Sequence, residues 1–143
     1  MLAISDVNDV LGLREKQDSP QSPFGLISRI EGGLPVGALD RLAGLLAPDD
    51  SQFKYRLVPK ATYERRKAAG RLAADEGTRV ARLARIWNLA VDVWGGEVDA
   101  RDFLFRPHAM LEDRRPVDVV IQNEIGAELV IDILGGLKYG SAA

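Results

Sequence analysis

The residues of this chain best equipped for chemistry lie in one short run, Lys60-Ala61-Thr62-Tyr63-Glu64-Arg65-Arg66-Lys67. Their chemistry is recognition rather than reaction. Arg65 or Arg66 offers a planar fork of donors that matches the two acceptors on a guanine edge. Lys60 and Lys67 offer point charges to phosphate, and the hydroxyls of Thr62 and Tyr63 reach either phosphate or base. A helix beginning at Lys60 would add the backbone amides of its first turn, a ready anion site. The run sits inside a basic island: residues 51–86 carry ten Lys and Arg against three Asp and Glu, a net +7. The flanks are acidic, at −4 over residues 1–50 and −5 over residues 87–143, in a chain of net charge −2. Such asymmetry points to a polyanion partner. A solvated helical surface whose bases pair with acids elsewhere explains the same charges.

Other chemistries fare worse. His108 is the single histidine and there is no cysteine, so thiolate zinc sites, cysteine nucleophiles, two-histidine metal sites and a conventional triad cannot be built. Glu112 and Asp113 form a carboxylate pair on paper, but they adjoin Arg114 and Arg115, and surface ion pairing accounts for them better. No catalytic residue, metal or cofactor is expected. No apolar run approaches the roughly 18–20 residues of a membrane span, and the N-terminus has no basic leader region. A soluble, cytoplasmic, non-enzymatic protein without membrane contact is the expectation.

The elements that must position the run read as helices. Residues 15–23 are polar with two prolines, a linker that leaves residues 1–14 as a loosely attached arm or short helix. Pro23 to Ile30 is short and apolar. Pro35 opens a helix with Leu39, Leu42, Leu45 and Leu46 on one side, stopped at Pro48. Asp49 or Asp50 can cap a further turn or two through Phe53 and Leu57. Pro59 breaks this, and the next helix runs from Lys60 to Ala69 with Gly70 as its stop. The longest periodic stretch begins at Asp75 and Glu76, repeats Val80, Leu83, Ala84, Trp87, Ala90, Val91 and Trp94, and ends at Gly95-Gly96. It should be covered on two sides, with both tryptophans in the core and Arg79, Arg82 and Arg85 facing solvent. A helix near Val98 to Phe105, a loop to Arg115 and a short helix from Pro116 follow. The last helix takes Asn123 as its cap and closes at Gly135-Gly136, leaving Leu137 to Ala143 as a tail. Residues 119–121 and 129–133 are β-branched enough to suggest strands, but their length and the cap favour helix.

A helix ending at Leu57, the turn Val58-Pro59 and a second helix from Lys60 have the layout of a helix-turn-helix, whose second helix offers its N-terminal residues to base edges. A plain helical hairpin with Tyr63 in its core is the structural alternative. Beyond the spacing, residues 57–72 and 76–85 resemble the Xre/MbcA/ParS-type antitoxins. That family's pattern falls on Pro59, Thr62, Tyr63, Arg65, Arg66, Gly70, Leu72, Glu76, Arg79, Arg82, Leu83, Ala84 and Arg85. Downstream it falls on Trp94-Gly95, Phe103-Leu104, Arg115-Pro116, Asn123-Glu124 with Gly126, and Leu137-Lys138-Tyr139-Gly140. The match spans about residues 34–140. It departs at Phe103 for a tryptophan, Asn123 for a threonine, Gly77 for a small hydroxyl residue, and Glu112-Asp113 where two glycines are usual.

The resemblance implies an all-α protein: a degenerate Xre-like helix-turn-helix domain over residues 23–72, joined by a long central helix to a toxin-binding domain within 73–143, with 1–22 as arm and linker. It implies an antitoxin that neutralises a RES-type, NAD-consuming toxin by covering its cleft with the C-terminal helices and tail, and that represses its own operon. On that reading Lys60, Thr62, Tyr63, Arg65, Arg66 and Lys67 meet DNA. Arg79, Arg82, Arg114, Arg115, Leu137, Lys138, Tyr139 and Gly140 meet the toxin, and a two-fold homodimer sets two reading helices on one operator. A stand-alone Xre-type regulator, and a helical adaptor without DNA binding, are the alternatives.

Overall fold

The computed structural model of the chain describes residues 4–13 and 23–139. Among these every regular element is helical: α1 (Ile4–Leu11), α2 (Pro23–Glu31), α3 (Val36–Leu46), α4 (Lys54–Leu57), α5 (Lys60–Ala69), α6 (Ala74–Trp94), α7 (Glu97–Phe105), a 3-10 turn (Ala109–Leu111), α8 (Pro116–Gln122) and α9 (Glu124–Tyr139). The chain forms two compact units, Met1–Ala84 and Arg85–Ala143. The division falls inside α6, whereas the resemblance implied a boundary at 72/73.

In the first unit α3 is the central element, burying Val36, Ala38, Leu39, Leu42, Ala43 and Leu46 along one stripe. Helix α1 packs on it. Val7 and Leu11, one turn apart, are both 2% exposed, and Arg41 on α3 donates from Nε to the carbonyl of Val10 at 3.0 Å. Of the two readings of this segment, a loosely attached arm or a short helix, the described residues form the short helix, and it is part of the core. Most of the expected linker lies outside the described residues. Asp50 Oδ1 accepts from the Gln52 amide at 2.9 Å and starts the turn that leads into α4. Pro59 ends α4 because its ring cannot continue the helix, and α5 begins one residue later. Gly70 closes α5 at φ 83°, a left-handed conformation that glycine adopts without a Cβ penalty, and its amide reaches the Arg66 carbonyl at 2.7 Å. Past it, the Leu72 amide donates to the Leu34 carbonyl at 2.8 Å, which ties the exit of α5 to the start of α3.

In the second unit α6 buries Ile86, Trp87 and Ala90, α7 buries Ala100, Phe103 and Leu104, and α8 buries Val117, Val119 and Val120. Asn123 caps α9 as expected, its Oδ1 accepting from the Gly126 amide at 2.8 Å. At Gly126 a Cβ would lie 2.0 Å from the Val119 carbonyl oxygen, so only glycine lets α8 and α9 approach this closely. The segments suggestive of strands are helical.

Two expectations about this unit are overturned. Helix α9 does not stop at Gly135-Gly136 but runs through both glycines to Tyr139. Burial of Ile133 and Leu134 before the glycines, and an ion pair from Lys138 to Asp92 at 2.7 Å after them, outweigh a propensity cost of about 1 kcal/mol per glycine. The second concerns the tryptophans. Trp87 is 2% exposed, under the Arg101 guanidinium, but Trp94, the last residue of α6, is 40% exposed.

Candidate nucleic-acid and toxin interfaces

Helix α5 has a sparse apolar anchorage, with Tyr63 as its single buried residue. A buried leucine contributes roughly 1.5–3 kcal/mol, and α5 supplies none, so polar ties must hold it. The Tyr63 hydroxyl donates to Asp40 Oδ1 on α3 at 2.7 Å. Lys54 Nζ lies 4.5 Å from the centre of the Tyr63 ring, and Tyr55 meets that ring edge-on at 5.6 Å. Burial, aided by the Asp40 hydrogen bond, pushes the Tyr63 phenol above its ordinary pKa, so it stays a neutral donor. At the other end, Arg66 donates from Nε and Nη2 to the two oxygens of Glu76 on α6, at 2.8 and 3.3 Å. Glu76 is 6% exposed and also accepts from the Ala73 amide at 2.8 Å, the reciprocal half of a capping box. Burial alone would raise the Glu76 pKa. The hydrogen bonds from Arg66 and Ala73, with the positive charges of Arg66 and Arg79, outweigh it and hold the carboxyl below its ordinary value. Arg79 reaches back from α6 to donate to the Leu57 carbonyl, the last of α4, and so fixes the turn that launches α5.

These ties separate the six expected DNA contacts. Tyr63 faces the interior and Arg66, half-buried, is engaged by Glu76. The reason is the 3.6-residue period: positions 63 and 66 share the inner face of α5. Lys60, Arg65 and Lys67 are exposed, and Thr62 is half-buried with its Oγ1 3.4 Å from Arg65 Nη2. No side chain caps the start of α5. Lys60 Nζ stands 5.8 Å from the centre of the Tyr55 ring. The outward face is thus basic, with the first-turn amides at one end.

The arginine stripe on α6 also differs from expectation. Arg79, Arg82 and Arg85 are half-buried, not solvent-facing. Arg79 is committed to Leu57, and Arg85 pairs with Glu124 at 3.2 Å and Glu128 at 3.9 Å within the second unit.

The six expected toxin contacts of the second unit fall at two places in the chain, the start of α8 and the end of α9. Arg115 makes a bidentate bond to Asp118, at 2.8 and 3.0 Å, and covers the Phe105 ring, which marks it as a helix-entry brace. Arg114 is exposed beside Glu112 at 3.6 Å. Leu137 and Lys138 belong to the last turn of α9, not to a hinged tail, and Tyr139 is 78% exposed. Gly140 lies outside the described residues. Residues 112 and 113, where the resembled family has glycines, both take left-handed backbone conformations, at φ 53° and 62°. The turn keeps the geometry that glycine suits, with side chains added at a cost in strain.

Two domain families match the chain in order: the antitoxin Xre-like helix-turn-helix domain over residues 25–85 and the antitoxin Xre/MbcA/ParS C-terminal toxin-binding domain over residues 89–140. Two curated relatives carry the name Antitoxin Xre. One, from Yersinia enterocolitica serotype O:8 / biotype 1B, is 30% identical over 118 residues, covering 80% of this chain and 79% of its own. The other, from Photorhabdus laumondii subsp. laumondii, is 33% identical over 111 residues, covering 76% and 74%. The chain belongs to the Xre antitoxin family. Residues 25–85 then form its Xre-like helix-turn-helix domain, which contains α4 and α5, and residues 89–140, from the last turns of α6 onward, form the antitoxin's toxin-binding domain. Among the described residues no helix is long and apolar enough to cross a membrane.

Sequence reasoning named Glu76 only as a helix-start and family-pattern residue and missed its tie to Arg66, as it missed the tie of Asp40 to Tyr63; both hold α5 in place. The signal for Glu76 was available, since it lies three residues after the start of a helix, where a glutamate bonds the helix's own first amides.

Proposed function

We propose that this antitoxin neutralises a RES-type, NAD-consuming toxin by occluding its active-site cleft with the second unit, and represses its own operon through α5. It acts without catalysis, in the cytoplasm, and as a homodimer that presents two reading helices to a two-fold operator. The observation that carries the reading is the order of the two matched domains in one chain, with a basic reading helix in the first and an acidic second domain. Residues 87–143 carry a net −5, suited to a basic partner surface. Lys60, Arg65, Lys67 and Thr62 are the proposed DNA contacts, and Arg114, Leu137, Lys138, Tyr139 and Gly140 remain proposed toxin contacts. Arg66 and Tyr63 position the helix.

Co-expression with a RES-type toxin tests the first half. Cellular NAD should hold steady with the antitoxin present and collapse without it, and collapse in both cases would refute neutralisation. A gel shift on the promoter fragment tests the second. Arg65→Glu should abolish the shift, log K should fall steeply with log salt, and a scrambled operator should lose the sequence-dependent part. An unaltered shift with Arg65→Glu would favour a helical adaptor without a DNA role.

A further inference from the structure

The second unit contains a recess of about 320 Å3 near the C-terminal end of α6. Its apolar side is aromatic. The rings of Trp94 and Phe103 lie 5.8 Å apart at 37°, and the His108 ring meets Phe103 nearly edge-on at 6.0 Å. His108 Nδ1 accepts from the Met110 amide at 3.2 Å, which fixes the ring in place. Leu137, from the last turn of α9, closes another side. That turn is held by the Lys138–Asp92 pair at 2.7 Å, so Leu137 takes its place in the wall because α9 continues through Gly135-Gly136. Asp99 and Asp102, on α7, and Arg106 just after it form the charged part of the rim, two carboxylates against one guanidinium. Asp102 stands 3.9 Å from Arg106 with both side chains well exposed, a loose pair. Asp99 has no ion-pair partner among the described residues.

We propose that this recess receives a lysine or arginine side chain of the toxin. The inference rests on the toxin-binding role proposed above and names one chemical contact within it. The methylene stem of the incoming side chain would lie on Trp94, Phe103 and Leu137, and its cation would meet the Trp94 face with Asp99 and Asp102 beside it. Charge complementarity chooses the occupant. An apolar side chain would strand Asp99 at the closed mouth, since only Asp102 has Arg106 beside it, and an acidic one would be repelled by Asp99 and by the −5 of residues 87–143. A cation satisfies the carboxylates and gains a further attraction from the indole face, the strongest of the aromatic side chains for this purpose. Trp94 also has the character of an interface anchor: a large ring 40% exposed, in a helix that buries its other tryptophan almost fully.

The test compares two single charge reversals on the same acidic unit. Asp99→Lys places a cation at the mouth of the recess, and Asp132→Lys makes the same charge change at an exposed position on α9 outside it. Both positions are exposed, so neither change disturbs the core. Dissociation constants for a co-expressed, purified RES-type toxin are measured by calorimetry on the full-length chain, with thermal melts confirming the fold. Asp99→Lys should weaken the complex at least roughly 10-fold and Asp132→Lys less than about 3-fold, with Trp94→Ala following Asp99→Lys. Equal affinity of wild type and Asp99→Lys, or equal weakening by both reversals, would overturn the recess as the anchor. A wild-type chain that fails to bind the toxin would overturn both proposals, and the wild-type control alone reveals that case.

Discussion

Replacing Glu76 with glutamine probes what holds the reading helix. The substitution keeps shape and volume, so no cavity forms. The Gln carbonyl can still accept from the Ala73 amide, now 2.8 Å away, but the amide nitrogen faces the Arg66 fork as donor against donor. Hydrogen bonds to charged groups contribute about 1.5–3 kcal/mol each. One such bond is lost outright and the other loses its charge, while partial exposure of Arg66 lets water recover some of the difference. A net cost of about 2 kcal/mol follows, which lowers the melting temperature by roughly 6–8 °C for a chain of this size. The pH dependence follows from the depressed carboxyl. The folded state binds the Glu76 proton more weakly than the unfolded state, so the stabilisation is complete above the ordinary value of 4.5 and is lost as pH falls through the lowered folded value. Wild type and Glu76→Gln should therefore differ most at neutral pH and converge on acidification. Promoter binding should weaken in the variant with an unchanged slope of log K against log salt, because no phosphate contact is removed. Melting curves between pH 3 and 7, paired with salt-titrated gel shifts, read all three quantities. Identical melts at pH 7, or a difference that grows on acidification, would refute the account of α5.

Four further outcomes follow from the geometry. Lys67→Ala should weaken promoter binding across all sequences and lower the salt slope by about 1, read by the same titration; an unchanged slope would remove Lys67 from the phosphate contacts. Gly126→Ala should unfold the second unit, since its Cβ would meet the Val119 carbonyl at 2.0 Å, and a normal melt would contradict the close approach of α8 and α9. Gly135→Ala, at a helical position with open space around it, should stabilise by about 1 kcal/mol, whereas a loss of stability would mean that α9 ends there. Replacing both Glu112 and Asp113 by glycine should raise stability by about 1 kcal/mol in denaturant melts, because relief of left-handed strain exceeds the added chain entropy.

The boundaries of α5 and α6 were legible because prolines and glycines punctuate them: Pro59 before Lys60, Gly70 after Ala69, Gly95 after Trp94. The fate of the arginines was not. Arg65 and Arg66 are chemically identical neighbours, and only the position of Glu76, ten residues on and across a turn, commits one of them inward. The same holds for Arg85, whose partners Glu124 and Glu128 lie on another helix. Glycine pairs were read alike at 95–96 and 135–136, yet only the first ends its helix. Gly95 takes φ 78°, while the second pair is bracketed by a buried apolar face and an ion pair that keep α9 going. Local propensity cannot register such distant partners, which is also why α1 read as a loose arm before its packing on α3 was seen.

The thin attachment of α5 bears on how this antitoxin and its relatives diverge. Because Tyr63 is the helix's single residue in the core, the side chains proposed to read an operator and those that keep the domain folded are almost disjoint sets. Exposed positions such as Ala61, Glu64, Arg65 and Ala68 can change without repacking anything beneath them. Two copies of such a gene in one cell could acquire separate operators by a few surface substitutions, each insulated from the other's promoter while the scaffold stayed the same.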